Sequence, residues 1–187
     1  LLRYLIKAGG ASKVYCVVRS STSEGGLARI EKALRLLKIW KDSFAQHIVA
    51  LPGDMALPQF GLKKEDYELL ARRKGGVQAI VHAGGSRKWH MDSESVQCNI
   101  SGLMNVITLA RKSHASVHYI SSGWLDAEEA AEPQDQETLR TMPYVQIKRK
   151  AEDLLHFAAR HYRVPCFAYR LPLISVNTRG GFSGDFI

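Results

Sequence analysis

The feature that most constrains this chain is a repeated switch between two hydrophobic periods. Short runs rich in β-branched and aromatic residues alternate with longer stretches whose apolar residues recur at helical spacing. The short runs are KVYCVVR (13–19), HIVALP (47–52), VQAIVH (77–82), SVHYIS (116–121) and VPCFAY (164–169). Between them, helices are predicted around 27–40, 63–73, 96–112 and 144–161. Parallel strands need a long crossover, and a helix is the usual one. The expected class is therefore α/β, a doubly wound parallel sheet flanked by helices. Ligands of such sheets bind beyond the carboxyl ends of the strands. Small or polar residues stand at those ends here: Arg19–Ser20, Gly53–Asp54, Ala83–Gly84–Gly85 and Ser121–Ser122. The acidic stretch DAEEAAEPQDQ (126–136) reads as an exposed, solvated loop.

Composition narrows the function classes. With 187 residues, 45% hydrophobic and 24% charged, the chain has the make-up of one globular domain. No run approaches the roughly 20 apolar residues of a membrane-spanning helix. Arg3 and Lys7 interrupt the apolar start, which argues against a secretion signal. A soluble, cytoplasmic protein is expected. Cys16, Cys98 and Cys166 lie far apart, without metal-ligand or disulfide spacing, and read as small buried residues. The formal charge is +8, but Lys and Arg are scattered and form no nucleic-acid motif. That charge suits a phosphorylated cofactor or an acidic protein partner.

One constellation carries chemistry. Tyr144 and Lys148 are four residues apart at the start of a predicted helix, just after Pro143, so both fall on one face. A neighbouring ammonium favours the ionised form of a phenol. Such a tyrosine can give a proton to a carbonyl oxygen as hydride reaches the carbon. Ser122 follows the strand one unit upstream, where its hydroxyl can share the charge on that oxygen. Asn99, near the start of the preceding helix, reads either as a helix cap or as a group fixing backbone or water beside the lysine.

With these motifs, the chain resembles the extended short-chain dehydrogenase/reductase superfamily, whose fold is Rossmann-like. More narrowly, it is similar to the thioester reductase domains that end some nonribosomal peptide and polyketide synthetases, and to aminoadipate and carboxylic acid reductases. The resemblance runs in order through KVYCVVR (13–19), GLARIEKALR (26–35), HIVALPGDM (47–55), QAIVHAGG (78–85), CNISGLMNVITLA (98–110), HYISSG (118–123), YVQIKRKAEDLL (144–155) and AYRLPLIS to GDFI (168–187). It implies Ser122, Tyr144 and Lys148 as catalytic residues and NADPH as cofactor. Arg19 and Arg29 then match the residues that meet the 2′-phosphate, and planar guanidinium groups suit that contact. Asp54 and Met55 match the pair flanking the adenine. Ala83 and Gly84 match the segment under the cofactor, Lys148 the residue holding the ribose, and Leu171, Pro172, Leu173 and Ile174 the segment near the nicotinamide.

The implied activity is reductive release of a carrier-bound acyl or peptidyl thioester as aldehyde or alcohol. The implied partner is an acyl or peptidyl carrier protein bearing a phosphopantetheine arm. The family's opening strand and TGxTGxxG loop have no counterpart here, nor has its C-terminal substrate domain. Residues 1–187 are thus expected to be a partial reductase domain. Gly85–Ser86 and Leu171–Pro172 also depart from the family's usual residues. Two other readings remain open: a non-redox, Dieckmann-type cyclising release domain, and an inactive truncated fragment.

Overall fold

The computed structural model describes residues 1–7, 10–85 and 96–172. These fall in two compact units, one within Leu1–Asp54 and one within Met55–Leu173. The strands form two parallel ladders, in keeping with the expected α/β class. Among the described residues, the second strand and the third have no hydrogen-bonded ladder between them.

The first unit contains α1 (Leu2–Lys7), β1 (Val14–Val18), α2 (Ser23–Leu36) and β2 (Ile48–Pro52). β1 and β2 pair in parallel from Val14↔Ile48 to Val18↔Pro52. The polar run 20–26 leads into α2. Thr22 caps that helix, its Oγ1 accepting from the Gly25 amide at 3.1 Å. Gly26 is buried because α2 lies close to the sheet. A Cβ there would stand 3.1 Å from Ala50 Cβ and 3.0 Å from Ser20 Oγ.

The second unit contains α3 (Lys64–Ala71), β3 (Ala79–His82), α4 (Gly102–Ser113), β4 (Ser116–Ser122), α5 (Trp124–Ala130), α6 (Pro133–Thr141), α7 (Pro143–Tyr162) and β5 (Cys166–Leu171). Its sheet has the order β3-β4-β5, all parallel. Central β4 alternates between more and less buried residues, as the twofold strand period requires. Its Val117 and Tyr119 join Leu103, Val106 and Ala110 of α4, and Val145, Ile147, Ala151 and Leu155 of α7, in the core.

The acidic stretch 126–136 is mostly exposed, as expected, but it is helical rather than a loop. It forms most of α5 and the start of α6, and Glu128 within it is only 2% exposed. Composition misleads here because the carboxylates are neutralised from elsewhere. Arg140 donates to Glu128 at 3.0 Å, and Arg149 also pairs with it. Among the described residues no helix is long and apolar enough to cross a membrane.

Candidate active site

The i, i+4 spacing of α7 sets Tyr144, Lys148 and Glu152 on one face, turned towards β4. Lys148 is 9% exposed. Its Nζ donates to Tyr119 Oη at 3.2 Å and to the Ile120 carbonyl at 3.0 Å. The ammonium lies 5.8 Å from the centroid of the Tyr144 ring and 4.8 Å from that of Tyr119. Burial pushes the Lys148 ammonium down to about 8, with Glu152 opposing the shift. The expected tyrosine–lysine proximity is therefore present, and the lysine is half-way to a neutral amine in the mildly alkaline range.

The two serines at the end of β4 differ sharply. Ser121 Oγ donates to Glu152 at 2.5 Å. Glu152 also accepts Arg170 through Nε at 3.1 Å and Nη2 at 2.8 Å, while Arg170 Nη1 reaches Asp126 at 2.7 Å and Glu129 at 3.0 Å. Burial alone would raise the Glu152 carboxyl. The bonds from Arg170 and Ser121 outweigh it and hold the group below its usual range. Ser121 thus belongs to a framework tying β4, β5, α5 and α7 together. Ser122, also buried, bears no such bond to a carboxylate among the described residues. Its Oγ accepts the Trp124 amide at 3.4 Å, at the strand's carboxyl end.

Strand register brings in residues that sequence reasoning missed. His82 pairs with Tyr119 across the β3–β4 ladder, and their rings stand 5.5 Å apart. Burial, with Lys148 adding to it, pushes His82 down to about 4, so the ring is neutral near neutral pH. Its Nε2 is buried without a hydrogen-bond partner among the described residues. Burial raises the Tyr119 phenol, reinforced by Tyr144 and Glu152. The available signal was parity: Tyr119 shares its strand face with Ser121, which faces α7.

The glycine segment after β3 is tightly backed. A Cβ on Gly84 would lie 2.9 Å from Met55 Sδ, and one on Gly102 would lie 2.8 Å from Met55 Cε. At Gly85 it would meet Asn99 Oδ1 at 2.4 Å. Asn105 fixes this neighbourhood by donating to the carbonyls of Met55 at 2.9 Å and Leu57 at 2.7 Å. Asn99 is buried in a π-helical turn, Gln97–Ser101, and is not the cap of α4. Ala83 and Gly84 are exposed, so bare backbone is open to the close approach of a planar ligand.

Leu171 and Pro172 come beside Ser122 through Gly123. The Gly123 amide donates to the Leu171 carbonyl at 2.9 Å, and a Cβ on Gly123 would lie 3.5 Å from Pro172 Cα. Leu173 and Ile174 lie outside the described residues. A cavity of about 380 Å³ is lined by Glu128, Arg140, Val145, Gln146 and Arg149, and none of the expected site residues lines it.

In the first unit, Arg19 and Asp54 form an ion pair at 2.8 Å. Arg29 Nη1 donates to the Arg19 carbonyl at 2.8 Å. Both arginines are exposed, and the fold brings them together at the carboxyl end of β1. Arg29 thus reaches the backbone of Arg19, while the Arg19 guanidinium itself is engaged by Asp54.

Comparison with known proteins bears on the family and the fold. Residues 1–186 match the NAD-binding family described as male sterility protein. A linear gramicidin synthase of Brevibacillus parabrevis is 32% identical over 97% of this chain, which spans 4% of that protein. The terminal R domain from the myxalamid PKS-NRPS biosynthetic pathway superposes with a TM-score of 0.83 at 26% identity, covering 98% of this chain and 48% of that one. The PhqB reductase domain from Penicillium fellutanum gives a TM-score of 0.78 at 24% identity, with 98% and 48% covered, and supports the fold alone. The chain thus spans about half of these reductase domains. It belongs to the male sterility protein family of NAD-binding domains.

Proposed function

We propose that this chain is the nicotinamide-binding part of an NADPH-dependent reductase domain that releases a carrier-bound acyl or peptidyl thioester as aldehyde or alcohol. The observation that carries the reading is the buried Lys148 ammonium, 5.8 Å from the Tyr144 ring on α7, the helix reached from Ser122 through α5 and α6. A cation at that range stabilises negative charge as it develops on the phenol oxygen. Tyr144 then gives its Oη proton to the thioester carbonyl oxygen. Ser122 Oγ hydrogen-bonds the same oxygen and shares its charge. NADPH supplies the hydride when bound. Lys148 also serves the ribose hydroxyls. Arg19 and Arg29 hold the 2′-phosphate, Asp54 and Met55 flank the adenine, and Ala83–Gly84 with Leu171–Ile174 border the cofactor.

The sulfur of a phosphopantetheine arm is the leaving group, and an acidic carrier protein suits a chain of net charge +8. The test follows NADPH absorbance during incubation with a carrier-bound acyl thioester. Tyr144→Phe is expected to lower kcat by about 10²- to 10⁴-fold. Cyclised product without NADPH consumption, or turnover unchanged in Tyr144→Phe, would overturn the proposal.

A further inference from the structure

We infer that Tyr119 is a positioning residue that tethers the Lys148 ammonium to β4 and keeps it beside Tyr144. The inference rests on the reading of Lys148 given above.

A lysine head on four methylenes has much rotamer freedom, and its ammonium offers three donors. Two of those donors are taken by β4: Tyr119 Oη at 3.2 Å and the Ile120 carbonyl at 3.0 Å. The face of the Tyr119 ring adds a second contact, with Nζ 4.8 Å from its centroid. Tyr119 cannot follow a moving lysine. It is 1% exposed, on the central strand, between His82 on β3 and Ala168 on β5 in the ladders.

The tether matters because an alternative partner stands one turn away. Glu152 is at i+4 from Lys148 and attracts its charge. A free carboxylate there would draw the ammonium away from Tyr144. The structure blocks this from both sides. Ser121 and Arg170 occupy the Glu152 oxygens, and Tyr119 with Ile120 holds the ammonium. The phenol oxygen of Tyr119 acts as acceptor, a role Phe cannot fill.

The experiment labels the folded chain with acetic anhydride across a pH series and measures acetylation of Lys148 by peptide mass spectrometry. In the unaltered chain the midpoint is expected near about 8. In Tyr119→Phe the charged form loses an acceptor, so the midpoint falls and Lys148 acetylation near neutral pH rises several-fold. A midpoint and rate unchanged in folded Tyr119→Phe would overturn the tether. If that variant does not fold, 3-fluorotyrosine incorporated in a Tyr144→Phe background keeps the ring and weakens the acceptor. The midpoint must then fall as well, and an unmoved one overturns the tether. Neither reading needs turnover. A chain that consumes no NADPH would sink the proposed function, while the labelling still decides the role of Tyr119.

Discussion

Lys148→Met should make the protein's stability respond less to pH, and the size of the change follows from the lysine's burial. The Lys148 ammonium is pushed down from 10.5 to about 8 in the folded chain. Between those values the unfolded chain binds more protons than the folded one, so stability rises with pH. The destabilisation from burying the charge is full below the folded value and fades as pH approaches the unfolded one. A gap of this size corresponds to roughly 3 kcal/mol in all, of which about 2 kcal/mol is relieved between about pH 7 and pH 9.5. Methionine has nearly the same volume and no charge, so its variant lacks this slope. Urea unfolding followed by circular dichroism at both pH values gives the two stabilities, and tyrosine and cysteine titrations cancel in the difference. The wild type should gain about 2 kcal/mol on the variant as pH rises. A difference that stays flat would mean that Lys148 is solvated, and the account of its environment would be wrong.

Glu128→Ala should lower stability by about 1–3 kcal/mol in thermal unfolding, the low end being set by how easily exposed Arg140 and half-buried Arg149 find water. Glu128 is buried, but bonds from Arg149 and Arg140 hold its carboxyl below the usual range. Its contribution is therefore complete above about pH 4.5 and lost as pH falls through the folded value, so Glu128→Gln should unfold less steeply in acid. Gly102→Ala should cost about 1–3 kcal/mol because its Cβ meets Met55, and Met55→Ala in the same chain should recover most of that loss. On the proposed function, Arg19→Ala should raise the Kd for NADPH, measured by fluorescence titration, by about tenfold or more while leaving NADH binding unchanged, since the proposed contact is a charged hydrogen bond to the 2′-phosphate.

The strands were legible because their periodicity is local. All five short apolar runs are strands, and the residues at their carboxyl ends lie where the alternation put them. Tyr144 and Lys148 were legible for the same reason, since one helical turn fixes their relation. Tyr119 was not. Its pairing with His82 depends on the register between β3 and β4, and its contact with Lys148 on the packing of α7 against that sheet. Strand parity puts Tyr119 on the face of Ser121, but neither the register nor the helix packing is written in local spacing. The stretch 126–136 failed for a related reason. Its Asp126, Glu128 and Glu129 meet arginines on α6, α7 and β5 only in the folded chain.

The same two periods also explain why adjacent, chemically identical residues take different tasks. Along β4, alternation turns Ser121 towards α7 and its Glu152, and hands Ser122 to the strand's end. Along α7, steps of four carry Tyr144, Lys148 and Glu152 down one face. The lower step is locked, because Glu152 is shared by Ser121 and Arg170. The upper steps keep a phenol and an ammonium whose charge the buried site disfavours. Locking the carboxylate is what lets the lysine remain poised: a free Glu152 would form a salt bridge with Lys148 and fix its proton. If that argument holds, Arg170→Met should release Glu152 to Lys148 and raise the midpoint of Lys148 acetylation above about 8. A midpoint left in place would show that the arginine clamp and the lysine are independent.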